Sequence, residues 1–389
     1  MARRMLDSLF RGASAPRHTE QPSPARRSLF RLALGAGLLA AVSFSTGVSA
    51  DDDDLKGGAV FTLTNSTSGN AVVVYARAED GSLTPAGSYP TGGFGTGAGL
   101  GSQGAVIVSE DRNWLFAVNA GSNSITSFRI RNKNLERIDV VPSGGVMPTS
   151  LAFRDDVLYV LNAGVPNNIT GFTVRKGRLE PTPGSTRPLS AASTSPAQVG
   201  FSHDGDSLIV TERATNRIDT YVVNDGGLAE GPFVFPSSGP TPFGFAVGWR
   251  NTVLVSEAGA GGGASTYGID DGVLTPISAM IMTGQRAACW AIMTRNGRFG
   301  YVTNAGTGNI SGVAIARDGS ATLLNADGIT AVTGGNPTDM AMSHNSRYLY
   351  ARVGALAQIA IFAIGKDGSL AALPPLNGVS GTFAGLAGY

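Results

Sequence analysis

Two stretches of the sequence decide the fold: PAQVGFSHDGDSLIVTERATNRIDTYVV, residues 196–223, and CWAIMTRNGRFGYVTNAGTGNISGVAI, residues 289–315. Each begins with an apolar run, which is followed by a turn rich in Ser, Asp, Asn and Gly. A second apolar run then ends in Glu or Asn, and a further turn leads into an alternating segment. Apolar runs with period-two alternation between such turns are typical of short antiparallel β-strands. The two stretches are therefore copies of one structural repeat.

The same repeat recurs along most of the chain. Further copies begin at Gln103, Pro148, Pro242 and Pro337, and a partial copy begins at Phe61. The residue that ends the second apolar run marks the period, and its successive spacings are 54, 43, 50, 45, 47 and 48. These residues are Asn65, Asn119, Asn162, Glu212, Glu257, Asn304 and Arg352. Seven units of about 48 residues, with four short strands each, predict an all-β fold, a seven-bladed β-propeller.

The first copy lacks its opening strand. The C-terminal segment TFAGLA, residues 382–387, follows the last strand of the seventh unit and can supply it. We therefore expect the C-terminal strand to become the innermost strand of blade 1, which closes the ring and leaves no free sheet edge at the junction.

Composition agrees with this fold. The chain has 389 residues, of which 54 are Gly and 20 are Pro, and only 15% are charged. Gly and Pro are the poorest helix formers, which favours a turn-rich β protein. The hydrophobic share of 42% is too high for a disordered chain.

Residues 1–50 have the features of an export signal that is cleaved. Seven arginines precede or begin an apolar stretch over residues 32–44, and Val48-Ser49-Ala50 is a suitable cleavage site. The pair Arg26-Arg27 resembles a twin-arginine signal, and an ordinary Sec signal is the alternative. The domain prediction is a signal over 1–50, an acidic linker over 51–56 and one propeller over 57–389. A periplasmic or secreted location follows.

Removal of the leader changes the charge. It contains seven of the 29 basic residues and two of the 28 acidic ones, so the remaining chain has a net charge of −4. No basic patch indicates nucleic-acid binding, and no further apolar run is long enough to span a membrane. One cysteine, Cys289, allows no internal disulfide. We expect a monomer with a small-molecule ligand and, in addition, consider a protein partner.

Antiparallel strands, named A to D from the axis outward, sort the turns onto two faces. The A–B face carries the turns between strands A and B, among them His203 and His344. We interpret both histidines as solvated turn residues. The B–C face carries the starts of the A strands, the B–C turns and the long connections between blades. Loops on a rigid scaffold commonly carry function, so the sequence favours the B–C face as the functional one.

Several side chains of the B–C face are candidates for chemistry. Glu212 and Glu257 replace Asn on adjacent blades, and two carboxylates that converge there would raise one another's pKa, as general acid–base catalysis requires. Arginine can bind a carboxylate or phosphate, and amide and aromatic side chains can form the pocket wall. The predicted catalytic residues are Glu212, Glu257 and Arg213, and the predicted substrate-binding residues are Arg286, Arg352, Gln198, Trp290 and Phe243.

Each candidate also has a structural interpretation. Glu212 would form a surface ion pair with Arg213 or Arg217, and Glu257 would order a loop. Phe243 and Trp290 would pack between blades, and Cys289 would be a small buried filler. The asparagines that end the B strands would bond their own turns. No His cluster or Cys pair for zinc is present, and we expect no cofactor. Calcium bound by Asn and Glu oxygens is the minor alternative.

The segments HDGDSLIVTERATNRIDTYVV and NGRFGYVTNAGTGNISGVAIARDGS resemble repeats of the lactonase family of seven-bladed propellers, over about residues 57–389. That family includes bacterial 6-phosphogluconolactonase and the fungal carboxy-cis,cis-muconate lactonising enzyme. The resemblance implies Arg, Glu and His at the mouth, often with Pro-His at the start of strand A. Here Pro196-Ala197-Gln198 lacks that His, as do Pro148-Thr149 and Pro337-Thr338, whereas Glu212 matches the family's Asn-Glu position.

Three hypotheses of function follow. The first is an exported lactonase-like propeller that binds or acts on a small lactone or carboxylate, with Glu212 as base or acid and the arginines as anion-binding groups. The second is a non-catalytic envelope protein that binds a ligand or a partner through the same face. The third is a metal-dependent lactonase. Whether the protein is an enzyme is left open by the sequence.

Overall fold

The computed structural model of the protein describes residues 57–389. The predicted export signal and the acidic linker lie outside these residues, so the leader, its cleavage and its route stay predictions. Residues 57–389 form seven antiparallel sheets, each of which corresponds to one predicted blade.

The strands are numbered in chain order. Blades 1 and 2 contain Gly58–Leu63 (β1), Ala71–Arg77 (β2), Leu83–Pro90 (β3), Val106–Val108 (β4), Trp114–Asn119 (β5), Ser124–Arg131 (β6) and Asn134–Pro142 (β7). Blades 3 and 4 contain Pro148–Arg154 (β8), Val157–Asn162 (β9), Asn168–Arg175 (β10), Arg178–Pro181 (β11), Arg187–Pro188 (β12), Pro196–Phe201 (β13), Ser207–Glu212 (β14), Arg217–Val223 (β15) and Ala229–Pro236 (β16).

The remaining strands complete the ring. Blades 5 and 6 contain Pro242–Val247 (β17), Thr252–Glu257 (β18), Gly263–Asp270 (β19), Val273–Met282 (β20), Ala288–Met293 (β21), Phe299–Asn304 (β22), Asn309–Ile315 (β23), Ala321–Leu323 (β24) and Ala331–Val332 (β25). Blade 7 contains Pro337–Met342 (β26), Tyr348–Val353 (β27), Gln358–Ile364 (β28) and Leu370–Asn377 (β29), and Ala384–Gly388 (β30) follows. Short 3₁₀ turns occupy Trp249–Asn251 and Gly354–Leu356.

The predicted closure by the C-terminal strand is confirmed. Strand β30 pairs with β1 as the innermost strand of blade 1, with Val60 opposite Gly388 and Leu63 opposite Ala384. The Thr62 hydroxyl donates to the Gly385 carbonyl at 2.7 Å. The same strand packs between β26 of blade 7 and β4 of blade 2. Blade 1 is thus built from both ends of the propeller chain, so no sheet edge is left open where the ring meets itself.

Buried hydroxyl groups join neighbouring blades. The Tyr159 hydroxyl of blade 3 donates to the Gly227 carbonyl of blade 4 at 2.7 Å. Tyr301 makes the equivalent bond to the next blade's Gly368 at 2.9 Å, and Tyr350 does so across the closure, to a glycine of blade 1. Each acceptor glycine lies in a C–D turn with a positive φ, which an L side chain rarely adopts. The turn glycines of the repeat therefore fix the packing of one blade on the next.

The inner strands surround a central channel. Every A strand runs from the B–C face to the A–B face, so the two faces are the two ends of this channel. No helix within residues 57–389 is long and apolar enough to cross a membrane.

Candidate functional site: a channel that opens on the A–B face

A cavity of about 580 Å³ lies in the central channel. Residues of all seven blades line it, and at the A–B face it is bordered by Arg154, His203, Arg295 and His344. A second cavity of about 510 Å³ continues from it and shares His203, Arg295 and His344. The accessible space of the channel therefore opens on the A–B face.

The opposite end of the channel is closed by residues 100–103, which belong to the long connection between blades 1 and 2. The Gln103 side chain reaches across to strand A of blade 6, where its Nε2 donates to the Ala291 carbonyl at 2.7 Å and its Oε1 accepts from the Ala291 N–H at 3.0 Å. Gly244 of blade 5 lies directly below, since a Cβ there would approach Gln103 Oε1 to 2.2 Å. This glycine makes room for the closing side chain.

Three of the predicted site residues pack around the same closing segment. The Trp290 indole donates to the Ser102 carbonyl at 2.8 Å, and its ring lies 4.9 Å from that of Phe243. The Arg213 guanidinium stacks on Phe243 at 5.2 Å and donates through Nε to the Ser195 carbonyl at 2.9 Å. Phe243 and Trp290 are both buried. These side chains wall the closed end and expose no pocket for a ligand.

The B–C face, which the sequence favoured as the functional one, is therefore not the face on which this cavity opens. Long connections collect there, as the sequence suggested, but the one after blade 1 folds inward and fills the channel. The reason is physical: a channel end lined by inward-facing backbone carbonyls and N–H groups requires hydrogen-bonding partners. The Gln103 amide supplies both a donor and an acceptor.

Glu212 is fully buried within blade 4. It accepts hydrogen bonds at 2.5 Å from the hydroxyls of Ser190 and Thr215, and at 3.1 Å from the Ser190 N–H. Asp219 is its neighbour on strand C, and burial, followed by the Glu212 carboxyl, raises the pKa of Asp219 to about 8. Glu212 is thus a buried member of a carboxyl pair that orders the loop from blade 3, and it lines neither of the two cavities described above.

Glu257 has the equivalent place in blade 5 and is also fully buried. Its Oε1 accepts from the Ser237 hydroxyl at 2.8 Å and from the Ser265 hydroxyl, whereas Oε2 has no partner. Burial raises the pKa of this carboxyl to about 7, against the hydrogen bonds that favour its charged form. Glu212 and Glu257 share no partner, so the structure does not bring the two predicted catalytic carboxylates together. The geometry of Glu257 fits the loop-ordering interpretation, whereas Glu212 is fully buried and does not form the surface ion pair expected with Arg213 or Arg217.

The remaining predicted ligand-binding residues bond to the backbone. Gln198 joins strand A of blade 4 to that of blade 5 through two bonds with Phe245, of 2.7 and 3.0 Å. Arg286 donates to the Gly306 carbonyl at 3.2 Å on the B–C face. Arg352 is buried and donates to the Gly381 carbonyl at 3.2 Å. Of this group, Gln198 borders the cavity.

Asp339 is a carboxyl of the channel wall that the sequence did not single out. It lies at a bulge of β26, where its φ is +56°, and accepts from the N–H groups of Met340 and Leu386 at 2.9 and 3.2 Å. Burial raises its pKa to about 7, although the nearby Arg352 charge acts in the opposite direction. Five residues of extended chain separate it from His344, about 16 Å along the channel.

The interpretation of both histidines as solvated turn residues is incomplete. His203 and His344 each follow the serine that opens an A–B turn, and strand A is the strand nearest the axis. The first turn residue after this strand therefore overhangs the channel, which is why both imidazoles border the cavity. The repeat of Ser-His after strand A, in Ser202-His203 and Ser343-His344, is the signal that could have identified them.

Other groups complete the mouth. Arg154, the last residue of β8 in blade 3, lies against the turn that contains His203 and Gly205, because a Cβ on Gly205 would approach Arg154 Nε to 2.6 Å. The same Nε has no hydrogen-bond partner. Trp249 borders the outer cavity and is 62% exposed. The mouth thus combines imidazole, guanidinium and aromatic side chains around one opening.

Metal and thiol chemistry have little support in the described part of the chain. Within residues 57–389 no group of three or more His, Cys, Asp or Glu side chains could hold a metal ion. The expectation of no cofactor, with calcium as the alternative, stays a prediction. Cys289 is buried, and burial raises the pKa of its thiol to about 12, which agrees with a packing role.

Comparison with known proteins adds a family. The model of the family described as "Lactonase, 7-bladed beta-propeller" matches residues 60–187. The chain is a seven-bladed propeller that resembles the lactonase family over these residues. Its resemblance to that family, which the repeat motifs indicated, is thereby confirmed for this part of the sequence. A comparison with curated protein sequences found no match.

Solved structures of similar fold extend this likeness to the whole ring. A putative 6-phosphogluconolactonase of Bacteroides uniformis is 17% identical with a TM-score of 0.71, and the match covers 85% of this chain and 99% of that one. The periplasmic gluconolactonase of Pseudomonas aeruginosa is 19% identical with a TM-score of 0.70, over 85% and 98%. A putative 6-phosphogluconolactonase of Bacteroides fragilis is 18% identical with a TM-score of 0.69, over 87% and 99%. At these identities the comparison shows the lactonase-like propeller as a fold.

Proposed function

We propose that this propeller binds a small lactone at the A–B mouth of the central channel and hydrolyses it to the hydroxy acid. The observation that carries the proposal is a cavity of about 580 Å³, closed at one end, whose open rim includes both His203 and Arg154. Small-molecule sites have volumes of this order and few, converging polar groups. The similarity to lactonase propellers supports the same class of substrate.

The rim supplies the two functions that lactone hydrolysis needs. The His203 imidazole accepts a proton from water as its oxygen attacks the lactone carbonyl carbon, which is general base catalysis. The Arg154 guanidinium, whose Nε makes no hydrogen bond and lies 3.9 Å from an Asp155 carboxylate oxygen, stabilises the oxyanion of the tetrahedral intermediate. The ring C–O bond then breaks, and the leaving alkoxide takes the proton from the imidazolium. The product is a carboxylic acid and a hydroxyl on the same molecule, and ionisation of the acid to the carboxylate releases one proton to the solvent.

Turnover of a panel of γ- and δ-lactones, followed as proton release in a pH-stat, tests this function. His203→Gln and Arg154→Gln should each lower kcat/KM about 100-fold or more without changing the melting temperature. Arg178→Gln, at an exposed arginine of the same blade as Arg154, is the matched control. Full turnover in His203→Gln would contradict the assignment. Loss of activity with EDTA would instead favour a metal-dependent lactonase.

A non-catalytic binding protein is the second candidate. Six apolar side chains are exposed on the B–C face, where the channel is closed: Phe94, Val146, Val165, Met282, Val332 and Leu356. Exposed apolar side chains grouped on one face are a feature of interaction surfaces. Binding of lactones or sugar acids without turnover of any of them would favour this candidate.

Export to the periplasm or the medium is part of the proposal. It is supported by the leader sequence over residues 1–50 and by the similar fold of a protein described as a periplasmic gluconolactonase. Replacement of Arg26-Arg27 by Lys-Lys should retain the precursor in the cytoplasm if the twin-arginine route is used. Fractionation followed by detection of the chain measures this, and unchanged export would assign the Sec route.

A further inference from the structure

An ion pair crosses the mouth of the channel. Arg295 of the blade 6 turn has its Nη2 3.6 Å from Oε1 of Glu110, which belongs to the blade 2 turn. Blades 7 and 1 lie between blades 6 and 2 in the ring. The two side chains therefore meet by extending over the opening, and their ion pair spans it.

The turns that carry Arg295 and Glu110 are each closed by a backbone hydrogen bond. The Arg295 N–H donates to the Ser346 hydroxyl of blade 7 at 2.9 Å, and the turn around it is closed by a 2.8 Å bond from the Gly297 N–H to the Thr294 carbonyl. The side chains of Arg295 and Glu110 are nonetheless 51% and 82% exposed. Separation of the pair thus requires side-chain rotation alone and leaves the backbone of the mouth unchanged.

The guanidinium has a second contact that keeps it over the opening. It contacts the imidazole of His344, and both residues border the inner and the outer cavity. If Glu110 rotates away, Arg295 is still placed by His344 and presents its donors to whatever occupies the mouth. Arginine binds carboxylates and phosphates through paired N–H donors.

We propose that Glu110 is an internal competitor: its carboxylate occupies an anion site on Arg295, and a carboxylate or phosphate group of a ligand binds there by displacing it. An exposed ion pair contributes about 1 kcal/mol or less, so a ligand anion can replace Glu110 at small cost. The ligand class is then a small acid, or a lactone with a second, acidic group. This inference uses the mouth of the proposed function but not its hydrolytic step.

Binding measured by isothermal titration calorimetry tests the competition, with gluconate as the carboxylate probe and inorganic phosphate as the second. Glu110→Gln should tighten binding of the better probe about two- to five-fold, because the guanidinium no longer has an internal carboxylate as its partner. Arg295→Gln should weaken it at least as much. The probe whose affinity changes in the variants, gluconate or phosphate, identifies the anionic group that the site binds.

The matched control is Glu136→Gln. Glu136 forms an exposed ion pair with Arg131 at 2.8 Å on the outer strands of blade 2, so its substitution changes the net charge equally but leaves the mouth intact. Tighter binding in both variants would assign the effect to net charge and overturn the inference. Unchanged or weaker binding in Glu110→Gln would do so as well.

The two proposals fail separately. If no lactone is hydrolysed but Glu110→Gln tightens anion binding and Glu136→Gln does not, the anion site stands and the hydrolytic function falls. If lactones are hydrolysed with unchanged anion affinity in Glu110→Gln, the competition falls and the function stands. Thermal unfolding of each variant verifies that the ring is folded in both cases.

Discussion

The residue that ends strand B illustrates what an amide-to-carboxyl replacement does inside this fold. In blade 6, the amide of Asn304 donates to Asn309 and to the Ser311 hydroxyl, at 2.7 and 2.8 Å. A carboxylate at this position can only accept. Glu212 accordingly has hydroxyl donors, Ser190 and Thr215, where the asparagine has acceptors. The break from Asn to Glu that suggested catalysis is therefore a change of hydrogen-bond polarity in a structural role.

The pH dependence of stability follows from Asp219. Its pKa rises from 3.8 to about 8 on folding, because the site is buried and adjoins Glu212. The folded state then binds a proton that the unfolded state has lost between about pH 4 and pH 8, so stability falls as pH rises through this window. Glu257 and Asp339, each with a pKa raised to about 7, act in the same direction.

Asp219→Asn should therefore reduce the loss of melting temperature between pH 5 and pH 8. The amide keeps the size of the side chain, needs no buried charge and can donate to Glu212. Thermal unfolding at both pH values measures the difference. Asp225→Asn, in the exposed C–D turn of the same blade, is the control that should leave it unchanged. An undiminished difference in Asp219→Asn would show that Asp219 does not carry this dependence.

At the scale of the element, the C-terminal strand is the clearest success of the sequence. The missing strand of the first repeat and the spare apolar segment at the C-terminus predicted β30 to within two residues, since 382–387 was expected and Ala384–Gly388 is observed. Deletion of residues 382–389 should lower the melting temperature of the whole ring substantially, because β1 loses its inner partner. A truncated chain that melts like the full one would contradict this.

A pair of glycine variants tests the same element without truncation. Gly385 has a φ of +73°, and a Cβ there would lie 2.9 Å from Val106 Cγ1 of blade 2. Gly378 has a φ of +84° but no atom within 4 Å of that position. Gly378→Ala should therefore cost about 1–2 kcal/mol of backbone strain, and Gly385→Ala about 1–3 kcal/mol more from overpacking. Chemical denaturation measures both, and equal costs would show that β30 is loosely packed.

The paths of the connections between blades are the part of the structure that the sequence did not predict. Strand bounds and turn faces followed from the repeat, because apolar alternation and turn residues are local signals. Which end of the channel is open depends on Gln103, a residue whose partners Ala291 and Phe245 are 188 and 142 positions away. Loop length gave no information on this contact. The sequence therefore favoured the B–C face, which is the face at which the Gln103 amide closes the channel.

At the scale of the whole molecule, the seven repeats determine the ring and the departures from the repeat determine the site. His203, His344 and Arg295 occupy equivalent positions at the start of A–B turns, and Arg154 lies one residue before that position in blade 3, so they converge only when the blades form a circle. No stretch of sequence contains the site. The alignment of the repeats by position, rather than the search for a motif, is the observation from which it can be predicted.

Strand β30 also determines when the ring can close during synthesis. Because β30 supplies a wall of the channel and Gly388 and Tyr389 border its outer mouth, the channel wall is complete only once residues 384–389 have been synthesised. Strands of the other blades can pair earlier, at about 5–20 residues per second, whereas blade 1 stays without its innermost strand until then. A ribosome-bound chain that ends before Ala384 therefore lacks one wall of the channel.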